Sequence, residues 1–269
     1  MPRAYIAGTG HFAPPHVVTN QDLVDKYGID TTNEWIVQRT GIEQRRFAGD
    51  GMGPADMGAE AAQMAIARAG LQVEDIDFIV FATLSPEHAF PGSGCYLQAK
   101  LGLVGVPAMD IRNQCSGFLY ALAAAKGMVE TGMSKTCLVV GGERHSGALD
   151  LTTEGRQVAC LFGDGAGAVV LGADSKPGLH ASVLHADGSQ AGILSTPGQV
   201  HGGKVTGDPF LRMDGQAVFK FAVRVLDEVG RETLALCDMQ PGDIDWLIPH
   251  QANVRILDAT AKKLGIDPA

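Results

Sequence analysis

One pattern is used twice in this 269-residue chain, and it constrains the fold more than any other feature. A long helical pattern leads into Glu74-Asp75-Ile76-Asp77-Phe78-Ile79-Val80, and a second helix then closes on Lys100-Leu101-Gly102. The helical pattern 214–237 leads into Gly242-Asp243-Ile244-Asp245-Trp246-Leu247-Ile248, and a further helix closes on Lys263-Leu264-Gly265. Repetition of helix, Asp-Ile-Asp with a buried strand, and helix ending Lys-Leu-Gly points to a duplicated α/β half. The two halves are read as 1–175 and 176–269. In the first half a strand, a helix and two more strands follow Lys-Leu-Gly. In the second only Ile266-Asp267-Pro268-Ala269 follows, so the C-terminal part of that half is expected to be missing.

Four short apolar runs, 77–83, 106–111, 136–141 and 165–171, do not alternate with polar residues, which predicts strands covered on both faces. Helical patterns over 55–70, 93–102 and 116–131 lie between them and end near Gly70, Gly102 and Gly132. Alternation of strand and helix implies a layered α/β architecture. The 35 glycines are dispersed, which suits tight turns and close helix packing rather than a linker. Apolar content of 45% with 19% charged residues supports a sizeable core. A net charge of −9 argues against non-specific nucleic-acid binding. No apolar stretch approaches the roughly 18 residues of a membrane span. The opening run Met1–Ile6 enters a strand without a signal-peptide pattern. Five cysteines with no CxxC pair give neither a disulfide framework nor zinc spacing, so no metal site is expected. These features together read as a reduced, cytoplasmic enzyme.

Two strings carry the chemistry. In Asp110-Ile111-Arg112-Asn113-Gln114-Cys115-Ser116-Gly117-Phe118, a strand ends, a tight turn follows and a helix begins near Cys115. A helix N-terminus carries about half a positive charge, which lowers a thiol pKa. Ser116 and Gly117 leave room for an acyl group. Cys95, Cys137, Cys160 and Cys237 are read as packing residues instead. In Asp245-Trp246-Leu247-Ile248-Pro249-His250-Gln251-Ala252-Asn253, a buried strand is expected to deliver His250 to its carboxyl end, where α/β folds place their chemistry. Phe162-Gly163-Asp164-Gly165-Ala166-Gly167 lacks the Lys-Ser/Thr of a phosphate loop and enters a strand, so close backbone packing is preferred to nucleotide binding. Gly8-Thr9-Gly10 is read in the same way.

Taken in order, Trp35-Ile36-Val37-Gln38-Arg39-Thr40-Gly41-Ile42, His88-Ala89-Phe90-Pro91, Cys115-Ser116-Gly117-Phe118, Phe162–Gly167 and Pro249-His250-Gln251-Ala252-Asn253 with Arg255 resemble the β-ketoacyl-acyl-carrier-protein synthase III family of condensing enzymes. The resemblance covers essentially the whole chain. It implies the thiolase fold, two αβα halves in a layered α-β-α-β-α arrangement. It also implies a two-stage Claisen condensation, in which Cys115 takes an acyl group from acyl-coenzyme A and malonyl on acyl carrier protein then decarboxylates and attacks it. By the resemblance, a neutral His250 donates to the enolate oxygen, and Trp35, Arg39 and Arg156 bind coenzyme A. Asn253, grouped with the substrate-binding residues, stands where the family has a supporting residue. Phe90 lines an acyl pocket across a homodimer interface. The family's asparagine donor and its C-terminal glycine-rich loop have no counterpart in these residues.

The basic face of helix 253–264, with Arg255, Lys262 and Lys263, suits an acidic partner such as acyl carrier protein. Coenzyme A thioester enters as a substrate, and no cofactor is expected. Arg112-Asn113-Gln114 stands where many members have small residues, which leaves the starter acyl group open. A ketosynthase primed by a longer chain and a non-condensing acyl-relay protein are the alternatives. A hydroxymethylglutaryl-coenzyme A synthase fits less well, because no acidic base near the nucleophile is evident in the sequence.

Overall fold

The computed structural model describes residues 3–174 and 178–266. The 175/176 division and the Asp267-Pro268-Ala269 terminus lie outside the described residues. The strands are β1 (Arg3–Phe12), β2 (His16–Thr19), β3 (Gln44–Phe47), β4 (Phe78–Ala82), β5 (Ala108–Ile111), β6 (Cys137–Arg144), β7 (Asp164–Asp174), β8 (Leu194–Ser195), β9 (Gln199–His201), β10 (Lys204–Thr206) and β11 (Arg212–Met213). The helices are α1 (Asn20–Asp25), α2 (Asn33–Thr40), α3 (Pro54–Arg68), α4 (Ser93–Lys100), α5 (Gly117–Glu130), α6 (Arg156–Ala159), α7 (Gly215–Leu236) and α8 (Val254–Leu264). Contacts group them into two units. One comprises 1–16, 46–145 and 163–182; the other comprises 17–45, 146–162 and 183–269.

The first unit is built on a five-stranded mixed sheet, in the order β1-β7-β6-β4-β5. β4 runs parallel to both β5 and β6, and β7 runs antiparallel to β6 and β1. Successive side chains on the central strands face opposite layers. Ile79, Phe81, Leu138, Val140, Ala168 and Val170 pack with α3 and α4, while Val80, Ala82, Val139, Val169 and Leu171 pack with α5. β4, β6 and β7 thus have cover on both faces, as their unbroken apolar runs predict. β5 differs: it is an edge strand of the sheet, as β1 is at the other side, and Met109 and Asp110 on it are exposed.

The helix ends match the sequence, since Gly70, Gly102 and Gly132 all take positive φ of 71–77°. Gly8 and Gly10 serve close packing rather than a nucleotide. A Cβ on Gly10 would lie 2.0 Å from the carbonyl oxygen of Ala61 on α3, and one on Gly8 would lie 2.2 Å from that of Ala65. Gly10→Ala is therefore expected to destabilise the unit by more than ~2 kcal/mol, because backbone must move on both elements. The check is denaturant unfolding; a midpoint equal to wild type would show that α3 shifts freely. The 164–167 glycine string is strand β7, with Asp164 Oδ2 accepting from Ala48 N–H at 2.6 Å.

In the second unit α7 and α8 pack at Gly230, where a Cβ would come 3.0 Å from Leu264. The local repeat is real here. Asp75 accepts from Gln72 N–H and Asp243 from Gln240 N–H, both at 2.8 Å, each closing a short 3₁₀ turn. Gly102 and Gly265 end their helices at φ 72° and 75°. The expected buried strand after the second turn is not formed. Residues 245–248 lie outside any ladder, with Trp246 80% and Ile248 84% exposed. A strand is held by cross-strand hydrogen bonds, and among the described residues nothing pairs with this segment. No described helix is long and apolar enough to cross a membrane.

Candidate active site

Cys115 sits on the turn that links β5 to α5. Asn113 leaves the strand at φ −146°, Gln114 is forced to φ +43°, and a 3₁₀ turn over Gln114–Ser116 leads into α5 at Gly117. Positive φ in a non-glycine residue costs about 1–2 kcal/mol and recurs where a fold aims a functional group. The turn is tied by Ser116 Oγ donating to the Asn113 carbonyl and accepting from Asn113 Nδ2, each at 3.1 Å. Gly117 is buried against Ala82 of β4, where a Cβ would touch at 3.4 Å. Cys115 thereby stands at the carboxyl end of the parallel strands, open to solvent on one side with protein crowding the others.

The electrostatics differ from the sequence expectation. Burial, and then the nearby Glu143 carboxylate, push the Cys115 thiol up, and a backbone hydrogen bond offsets them only in part. Both influences work against the positive field at the start of α5 and favour the neutral thiol. Cys137 and Cys160 are buried as expected, and burial pushes the Cys137 thiol up to about 12. Cys237 is half-buried. Cys95, read as a packing residue, is exposed near the start of α4. That helix buries Ser93, Gly94 and Leu97 and turns position 95 outward.

Glu143 is the residue that sequence reasoning missed. It is the penultimate residue of β6, and its carboxylate accepts from Leu84 N–H (2.8 Å), Ser85 Oγ (2.6 Å) and Thr83 Oγ1 (3.3 Å). The available signal was a lone carboxylate closing the apolar run 137–142. Phe90 lies in the loop between β4 and α4 and is 85% exposed. Two carboxylates brace that loop. Glu87 accepts from Ala55 N–H and Ser93 Oγ, and Asp110 accepts from Ser93 and Gly94 N–H.

The second unit gathers the residues singled out for coenzyme A. Thr32 caps α2 by accepting from Trp35 N–H at 3.0 Å. The guanidinium carbons of Arg39 and Arg156 stand 4.3 and 4.8 Å from the Trp35 ring centre, within cation–π range. Arg156 also donates to the Asp30 carbonyl at 2.5 Å. Its approach depends on Gly155, where a Cβ would lie 2.0 Å from the Asp150 carbonyl oxygen. His250 is exposed in the loop before α8. Asn253 caps α8, its Oδ1 accepting from Ile256 N–H at 3.0 Å. Gly41, at φ 74°, packs on Val254 at the start of that helix, so α2 and the His250 loop are braced together. Arg255, Lys262 and Lys263 are all exposed, with Asp258 among them, and Arg255 leans over the Phe219 ring of α7.

A cysteine on a strained strand-to-helix turn over a mixed sheet is an arrangement suited to an acyl-accepting nucleophile, and comparison with known proteins identifies the class as a thiolase-like condensing enzyme, an acyltransferase. Residues 109–188 match the family described as 3-oxoacyl-[acyl-carrier-protein (ACP)] synthase III, and residues 234–269 match its C-terminal domain. The chain is similar to 3-oxoacyl-[acyl-carrier-protein] synthase III from Aquifex aeolicus VF5, with 40% identity, TM-score 0.88 and coverage of 98% of this chain and 82% of that one. It is also similar to the synthase III from Pseudomonas aeruginosa PAO1 (38%, TM-score 0.90, 98% and 80%). A third similar structure is the priming β-ketosynthase of the R1128 polyketide biosynthetic pathway (33%, TM-score 0.90, 98% and 79%). The chain belongs to the 3-oxoacyl-[acyl-carrier-protein] synthase III family.

Proposed function

We propose that the chain transfers an acyl group from acyl-coenzyme A to Cys115 and condenses it with malonyl carried on acyl carrier protein, initiating fatty-acid synthesis. The observation that carries the reading is Cys115 on its strained turn at the start of α5, in a chain of this family. In the first stage the Cys115 thiol loses its proton, the sulfur attacks the thioester carbonyl, and coenzyme A leaves as a thiol. The Cys115 backbone N–H serves the tetrahedral oxyanion. In the second stage carbon dioxide departs and leaves its electron pair as an enolate, to whose oxygen His250 donates. The enolate attacks the acyl-enzyme, and Cys115 departs and regains a proton. Electrons balance without a redox partner, so coenzyme A enters as substrate and no cofactor or metal is proposed.

Trp35 with Arg39 and Arg156 receives coenzyme A in this reading, supported by the stacking geometry. Asn253 holds the His250 loop by capping α8. Phe90 is proposed to enter the acyl pocket of a second copy in a homodimer; its exposure and the open edge of β5 support this. Acyl carrier protein is proposed to dock on Arg255, Lys262 and Lys263. Lys262→Glu with Lys263→Glu is expected to lower kcat/KM for malonyl-carrier protein about tenfold and flatten its salt dependence. Loading from acyl-coenzyme A should stay unchanged, and a salt dependence like that of wild type would remove this surface. The reaction is proposed to run in the cytoplasm.

A second reading, priming with a longer acyl chain, is favoured by the bulky polar approach to the nucleophile, with Arg112 and Gln114 exposed and Asn113 half-buried, and by the similarity to a priming β-ketosynthase. Intact-protein mass spectrometry with acyl-coenzyme A thioesters of rising length tests both readings. Preference for the shortest chains supports initiation, and preference for longer ones supports specialised priming. Acylation without carbon dioxide release from malonyl-carrier protein would indicate an acyl-relay protein instead.

A further inference from the structure

The Glu143 carboxylate takes no part in the two stages above, yet it lies near the end of the strand β6. Its direction follows from strand alternation. Cys137 and Val139 pack with α5, and a Cβ on Gly141 would meet Phe118, in the first turn of α5, at 3.3 Å. Gly142 faces the other layer, toward Phe81 and the Pro54 carbonyl. Glu143, two residues beyond Gly141, therefore emerges on the α5 side, past Phe118, where the Cys115 turn lies. There it accepts three hydrogen bonds from Thr83, Leu84 and Ser85, the turn that leaves β4. Ser85 Oγ in turn accepts from Arg144 N–H at 2.7 Å, which locks that turn to β6.

We propose that Glu143 is a positioning residue of the nucleophile site: it fixes the turn after β4 and sets a negative charge behind Cys115, opposing the positive end of α5. The inference rests on the reading of Cys115 as the nucleophile. Within its unit, the other charged or titratable groups on elements around Cys115 are disposed differently. Asp110 of β5 is engaged at the start of α4, and Arg112 is exposed. Arg144 and His145 follow Glu143 at the end of β6, and Tyr120 lies on α5. The arrangement favours the protonated thiol. An exposed thiolate would be open to oxidation, and a neutral thiol is far less so.

The test is the rate of Cys115 alkylation by iodoacetamide against pH, located by peptide mass spectrometry, with exposed Cys95 as internal reference. It compares Glu143→Gln with the parent chain, and repeats the pair in His250→Ala to remove that imidazole. Glu143→Gln is expected to move the profile to lower pH and speed labelling at pH 7. Each tenfold gain in thiolate is offset about threefold by lost nucleophilicity, which leaves a net gain of about threefold. Ser85→Ala, which loosens the turn and keeps the carboxylate, should leave the profile in place. A superimposable profile in Glu143→Gln, or an equal displacement in Ser85→Ala, overturns the charge role. Failure to label Cys115 in folded protein overturns the nucleophile reading itself.

Discussion

Cys115→Ala is expected to abolish acyl-enzyme formation, a loss of at least ~10³-fold in single-turnover loading. The side chain is the nucleophile in the proposed first stage, and its neighbours cannot replace it. Ser116 Oγ is engaged with Asn113, and Cys137 and Cys160 are buried. Cys115 is open to solvent on one side, so truncating it should cost no more than about 1 kcal/mol of stability. The wild-type enzyme should load faster as pH rises from 7 to 9. Burial and Glu143 favour the neutral thiol, and the reactive thiolate appears only as pH climbs toward a pKa above the ordinary thiol range. The measurement is the mass increase after mixing with acyl-coenzyme A. A full increase retained in Cys115→Ala, mapped to Cys95 or Cys237, would sink the assignment. A loading rate that fell with pH would sink the protonation argument.

The legible parts of the fold were those fixed by local chemistry. Unbroken apolar runs gave β4, β6 and β7, because a strand covered by α3 on one face and α5 on the other has no polar side to show. Gly70, Gly102 and Gly132 marked helix ends, since each adopts a positive φ that few other residues tolerate. The Trp35, Arg39 and Arg156 cluster was legible only through resemblance, because 121 residues separate Trp35 from Arg156 and no local pattern joins them. Segment 245–248 has the composition of a strand, but composition cannot supply a pairing partner, and Trp246 and Ile248 stand in solvent. Glu143 escaped notice because its meaning lies in alternation along β6 and in the turn after β4, two elements about 60 residues apart. The height of the Cys115 thiol escaped for the same reason. A helix start can be read from sequence, whereas the desolvation and the carboxylate that work against it belong to the packed structure.

His250→Ala is expected to separate the two stages. Loading of Cys115 should stay within about threefold, while carbon dioxide release from malonyl-carrier protein should fall by about 10²–10³, the usual cost of one oxyanion donor. The reasoning is differential: loading develops its negative charge on the thioester oxygen, which the Cys115 N–H serves, whereas decarboxylation develops charge on the enolate oxygen, for which His250 is the proposed donor. The loop that carries His250 is held from below, by the Asn253 cap on α8 and by Gly41 against Val254, so removing an exposed imidazole should not unfold it. Asn253→Ala supplies the contrast. It loses the cap at a cost of about 1 kcal/mol, keeps the imidazole, and should loosen its aim without removing the donor. A smaller fall in decarboxylation than in His250→Ala is therefore expected. Stopped-flow loading and carbon dioxide release, measured on the same preparations, give both rates. If His250→Ala slowed both stages equally, the imidazole would be acting on Cys115 itself, as the base that draws off its proton, and the division of oxyanion roles would have to be redrawn around that proton.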